Sequence, residues 1–182
     1  LPAGEAPDDA LRLADAAVQA EPKLTWIYLP LIMNFREGWE RLPKDTADRL
    51  QAYIEKLKTS DPENAVPHLL HSDFIRVRRG KAWPAWPQGG PIDPAYLNAL
   101  ALETDWRREM AAAIASPRCD SYEVRLFELY REVLHTRQWD HPYVLSFIWL
   151  ARPLVSWLWL RNYANLLVYK FGSEAEAAGR TN

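Results

Sequence analysis

Residues Leu50 to His71 read LQAYIEKLKTSDPENAVPHLLH, and this stretch decides the fold. Leu50, Tyr53, Ile54 and Leu57 recur at the three-and-four spacing that puts them on one helix face, while Glu55, Lys56 and Lys58 face water. Asp61-Pro62 ends that helix, because a proline ring has no N–H to give the ladder and crowds the preceding turn. From about Asn64 a second helix runs to Arg79, with Leu69, Leu70, Phe74, Ile75 and Val77 as its apolar set and Gly80 as its stop. The segment is a helix, an acidic-Pro turn and a helix, and such a pair buries its apolar face only against neighbours.

A neighbour of the same pattern lies upstream. Ala10 to Leu31, ALRLADAAVQAEPKLTWIYLPL, falls on Leu50 to His71 with an offset of 40, placing Glu21-Pro22 on Asp61-Pro62 and Leu29 on Leu69. After a Pro and Gly leader, Leu1 to Pro7, the carboxylates of Asp8 and Asp9 mark a helix start at the positive end of its dipole. Leu11, Ala14 and Val18 carry that helix to Ala20, and Pro22 stops it. A second helix is expected over Leu24 to Glu37, rich in Trp26, Ile27, Leu29, Leu31, Ile32, Met33 and Phe35, with a kink at Pro30 and Gly38 as its C-terminal stop. The helix carrying Leu50 starts near Asp45.

This punctuation resembles the tetratricopeptide class of helical-hairpin repeats, and Lys56 to Leu70, with Ser60-Asp61-Pro62-Glu63-Asn64-Ala65, is the closest stretch. Ala177-Ala178-Gly179-Arg180 looks like the Gly-containing turn inside such a repeat. The offset is longer than that family's roughly 34 residues, and the Trp, Leu-Gly and Tyr signature of its first helix is missing. The resemblance implies an all-α fold of antiparallel helix pairs stacked as a right-handed superhelix, whose groove holds a peptide or another protein. The other all-α reading is an irregular helical bundle.

Beyond Gly80 the pattern changes. Lys81 to Pro94 contains Trp83-Pro84, Trp86-Pro87 and Gly89-Gly90 and reads as an extended loop. A helix is expected from Pro94 or Ala95 to about Ser116, with Leu97, Leu100, Ala101, Thr104, Arg108 and Ala111 on one face. A further helix, capped by Asp120 or Ser121, carries Val124, Phe127, Leu129, Tyr130, Val133 and Leu134 as an expected buried stripe. Tyr143 to Phe171 is an apolar block of two helices joined at Arg152-Pro153, before a polar tail.

The totals narrow the classes. A chain of 182 residues that is 48% hydrophobic and 25% charged has the make-up of one folded domain. Its formal charge of -2 supplies no global attraction for nucleic acid, which is not expected as a partner. A single cysteine, Cys119, excludes an intramolecular disulfide framework and a Cys-based zinc cluster. The chain begins at Leu1 rather than Met and reads as a piece of a longer one. Arg152 and Arg161 interrupt the last apolar block, so no membrane span of about 20 apolar residues exists there, although peripheral contact with a bilayer is compatible with it.

No constellation spells out catalysis. The G-x-S-x-G, phosphate-loop and H-E-x-x-H motifs are missing, and an enzyme is not expected. His68 and His71 lie three apart on one helix and could reach one ion, but no third ligand follows at motif spacing, so neither metal nor cofactor is expected. Glu132 and His135 form a single Glu-x-x-His unit where a di-iron bundle needs two, and Cys119 reads as an inert thiol. The basic and aromatic cluster Arg76, Arg78, Arg79, Lys81, Trp83 and Trp86 is the expected partner-binding surface, since long loops on helical scaffolds carry recognition. Trp157 and Trp159 are the expected interface of the last block.

Overall fold

The computed structural model describes residues 6–78, Ala99 and residues 102–136. The chain divides into two compact units, Leu1–Asp120 and Ser121–Asn182. The fold is all-α: the described residues form six α-helices and two 3-10 helices, and the only extended pairing among them is an isolated parallel bridge between Asn64 and Arg118.

In the first unit, α1 (Ala6–Ala20) and α3 (Lys44–Ser60) end 40 positions apart, as the internal match requires. Trp26 and Val66, Leu29 and Leu69, and Ile32 and Ser72, each pair at that same offset, are all buried. The hairpin of α3 and α4 (Ala65–Arg78) is as expected, with Leu50, Tyr53, Ile54 and Leu57 on the buried face of α3. Each large apolar side chain so buried stabilises the fold by about 1.5–3 kcal/mol. Helix α4 is the centre of the unit and packs on both α3 and α5 (Thr104–Ala115).

The segment expected as one helix over Leu24 to Glu37 is instead three pieces: a 3-10 helix Pro22–Ile27, α2 (Tyr28–Phe35), and a second 3-10 helix Arg36–Arg41. Local side-chain bonds explain the tight first turn, since Glu21 accepts from the Lys23 amide at 3.3 Å and the Thr25 hydroxyl donates back to the Pro22 carbonyl at 2.7 Å. Pro22 opens this segment rather than merely closing α1. Pro30 is the third residue of α2, inside the first turn where a missing N–H breaks no helical bond. Gly38 is not a stop, for it lies within the second 3-10 helix beside the fully buried Trp39.

The helix expected from Pro94 or Ala95 is interrupted. Leu102 is 84% exposed, Glu103 has extended backbone, and α5 begins at Thr104. The face read as Thr104, Arg108 and Ala111 is its exposed one, and the buried face carries Trp106, Glu109, Met110 and Ala113.

In the second unit, α6 (Glu123–Thr136) follows Tyr122, a buried residue with φ 56, whose carbonyl accepts from the Leu126 amide at 2.9 Å. The expected buried stripe is not found, because α6 has no buried residue. Phe127, Tyr130 and Leu134 share one half-buried face, whereas Val124, Leu129 and Val133 point around the rest of the circumference and are exposed. Six apolar residues spread over more than half a helix cannot all face one neighbour. The Lys81 to Pro94 loop and the block Tyr143 to Phe171 lie outside the described residues.

Candidate functional site

The stripe Trp106, Met110 and Ala113 gives α5 its buried face, and Glu109 falls inside it. A carboxylate so placed needs donors, and α3 and α4 supply them. Glu109 Oε1 accepts from Lys58 Nζ at 2.9 Å and lies 3.0 Å from His71 Nδ1, while Oε2 lies 2.8 Å from His68 Nδ1. Lys58 Nζ is also 3.0 Å from Glu55 Oε1 and 3.1 Å from His71 Nδ1. Burial alone would push the Glu109 carboxyl up, but the bonds from His68, His71 and Lys58 together outweigh it and hold the group well below the usual carboxylate range. The i, i+3 spacing of the two histidines puts both imidazoles on the α5 side of α4.

A second carboxylate hub joins α1, α2 and α3. Asp15 Oδ1 accepts from the Tyr28 hydroxyl at 2.9 Å, and Oδ2 accepts from the Tyr53 hydroxyl at 2.8 Å and from Arg49 at 2.7 Å. The two tyrosine rings stack with centroids 4.0 Å apart, and Lys56 Nζ lies over both. Burial raises the Asp15 carboxyl, the Arg49, Tyr53 and Tyr28 bonds lower it further than that, and the balance lies below its ordinary value. The Tyr53 hydroxyl is pushed up to about 12, first by burial and then by its bond to Asp15, and Tyr28 is raised for the same two reasons.

A third constellation locks the Asp61-Pro62 turn. Asn64 is fully buried; its Oδ1 accepts from the Val66 amide at 3.2 Å, capping α4, and from the Asp120 amide at 2.9 Å. Its Nδ2 donates to the Asp120 carbonyl at 2.8 Å, and the Ala65 amide donates to the Arg118 carbonyl at 2.7 Å. Arg118 pairs with both Asp61 and Asp120.

Of the expected basic and aromatic surface, Arg76 and Arg78 are described. Arg76 is buried on α4 and its Nε donates to the equally buried Asp73 at 2.9 Å, so its guanidinium is not on the surface. Arg78 is exposed and reaches the Leu42 carbonyl. Arg79, Lys81, Trp83 and Trp86 lie outside the described residues, as do Trp157 and Trp159. Glu132 and His135 are exposed on α6. Cys119 is exposed, and its thiol is raised by desolvation and by the Asp120 carboxylate, opposite to what a nucleophile requires.

Sequence reasoning noticed His68 and His71 but missed Glu109, Lys58, Asp15, Tyr28 and Arg49. The available signal was a carboxylate at an apolar position: Glu109 stands within the Trp106, Met110 and Ala113 period. Its partners come from elements 38 to 51 residues away, a pairing that no local spacing encodes. No family model, no curated protein and no solved structure matches the chain. Among the described residues no helix is long and apolar enough to cross a membrane.

Proposed function

We propose that the chain is a non-enzymatic interaction scaffold, a stack of antiparallel helix pairs of tetratricopeptide type that presents a helical groove to a protein or peptide. The observation that carries this reading is the use made of the buried ionisable groups. Glu109 ties α5 to α3 and α4, and Asp73 is paired with Arg76 along α4. The half-buried Asp15 ties α1 to α2 and α3 in the same way. A general acid or base needs its proton within reach of a substrate, whereas the oxygens of Glu109 and Asp15 are engaged in bonds between helices and Asp73 is engaged within its own helix. What such a body offers a partner is its outer surface.

A second reading, a structural subunit of a larger and membrane-associated assembly, is supported by the exposed Val124, Leu129 and Val133 on α6. Selection of peptides from a displayed library against the full chain separates the two. The scaffold yields a consensus peptide that saturates at one per chain with a Kd on the order of micromolar and shifts amide signals on one contiguous face. Failure to enrich any peptide, together with self-association relieved by mild detergent, overturns it in favour of the assembly subunit.

A further inference from the structure

Helix α6 carries an apolar line that its own unit leaves in part uncovered. None of its residues is buried. Phe127, Tyr130 and Leu134 form its half-buried face, and along one border of that face runs a second line, Leu126, Leu129 and Val133, at positions i, i+3 and i+7. Leu126 is half-buried, Leu129 is 37% exposed and Val133 is 46% exposed. The spacing is that of a coiled-coil seam, where apolar residues succeed one another up one side of a helix and meet a facing helix. Val124 is exposed as well, but on the opposite side of α6, and takes no part in the line.

The charges beside the line say what faces it. Arg125 and Glu132 are both exposed, and each stands one residue before a member of the line, Leu126 and Val133, so the two share one edge of the seam two turns apart. The Arg125 guanidinium lies over the Tyr122 ring, 5.3 Å from its centroid, which holds it along this edge, because Tyr122 is one turn below Leu126 on the same line. Opposite charges so placed are complementary to themselves under a two-fold axis across the helix. A second α6 running antiparallel sets the same edges face to face, its Glu132 against Arg125 and its Arg125 against Glu132. The axis then passes beside Leu129, and Val133 of each copy falls next to Leu126 of the other. A parallel copy sets this edge against the opposite border, which carries Tyr130, and pairs neither charge.

We propose that the Leu126, Leu129 and Val133 face of α6 is the interface of a reversible antiparallel homodimer, closed by the α6 of a second copy of this chain through two Arg125–Glu132 pairs. The dimer goes beyond the scaffold reading and stands without it. Three apolar residues a side make a small interface, so a Kd on the order of 10–100 µM is expected. The test is sedimentation equilibrium of the full chain over about 5–500 µM, a range that brackets that value. Glu132→Arg sets like charges against each other at both ends and is expected to weaken the dimer about tenfold, whereas Glu132→Arg with Arg125→Glu restores it, being the same pair reversed. Leu129→Glu abolishes the dimer, and Val124→Glu, on the far side of the helix, leaves Kd unchanged; circular dichroism checks that each variant keeps its helix content. Should Leu129→Glu fail to fold, the charge swap decides alone. A chain that stays monomeric throughout the range overturns the proposal, and so does association beyond two copies, association indifferent to Glu132→Arg, or a loss that the swap does not restore. Association indifferent to Glu132→Arg but relieved by mild detergent belongs to the assembly-subunit reading instead.

Discussion

The two carboxylate hubs differ in burial, and that difference sets what each residue is worth. Glu109 is 5% exposed and its donors come from two other helices, so Glu109→Gln leaves the part-buried Lys58 with Glu55 as its remaining carboxylate partner. Removing one partner of a buried pair costs about 3–5 kcal/mol, and the retained amide and the surviving Glu55 contact return part of it, so a loss of about 2–3 kcal/mol in urea unfolding at pH 7 is expected. The pH dependence has a definite sign. A carboxyl lower in the folded than in the unfolded chain contributes stability above its unfolded value of about 4.3 and loses it as pH falls toward the folded one. The wild-type urea midpoint therefore drops between pH 7 and pH 3.5 by more than that of Glu109→Gln, and equal drops would show that Glu109 is not the coupled group. Asp15, 37% exposed, is screened by water, and Asp15→Asn costs no more than about 1–2 kcal/mol. Its sharper readout is tyrosine ionisation. Absorbance near 295 nm should show the Tyr53 midpoint falling from about 12 in Asp15→Asn, while burial, the larger cause, keeps it above its ordinary value.

At the scale of elements, Gly38 separates the sequence expectation from the structure. A C-terminal stop glycine in the left-handed region would make alanine there costly, but Gly38 lies inside the Arg36–Arg41 3-10 helix and an added Cβ meets nothing within 4 Å. Gly38→Ala is therefore expected to raise stability by about 0.4–1 kcal/mol, chiefly by restricting the unfolded chain, and a loss on thermal or urea unfolding would restore the stop-glycine reading. Helices α1 and α3 were legible because each has a single apolar face and ends at an acidic-Pro pair, and α4 because it starts just after the second of those pairs and is apolar through most of its length. The 3-10 pieces around α2 were not, because their cause is side-chain bonding by Glu21 and Thr25, which leaves the run of apolar residues unchanged. The start of α5 was misplaced because the spacing read from Leu97 to Ala111 carries no sign of the backbone turn at Leu102, which is exposed and whose amide donates to the Ala99 carbonyl. The α6 stripe was over-read since periodicity reports which residues share a face but not whether a neighbour covers it.

For the molecule as a whole, the placement of the ties matters more than their number. Helix α3 holds Asp15 of α1 through Arg49 and Tyr53 toward one end and Glu109 of α5 through Lys58 toward the other, so two hubs on one helix fasten both flanks of the first unit. Ten of the fourteen residues of α4 are buried, which makes it the element the others are fastened around. The Asn64 bridge closes the same body by joining the α3–α4 turn to Arg118 and Asp120, the last residues of that unit. The candidate site was thus half visible in the sequence, as two histidines without a third ligand, and became complete only when the fold brought Lys58 and Glu109 to them. It follows that residues 1–120 contain every partner in the two hubs and the bridge, and expressed alone they should give a helical circular dichroism spectrum with one cooperative urea transition. In that fragment Glu109→Gln should lower the midpoint by the same amount as in the full chain, because the hub is local to the unit. A fragment that is helical but unfolds without cooperativity, or whose midpoint ignores Glu109→Gln, would mean that the ties need residues 121–182 to form, and the two units would then have to be treated as one folding body.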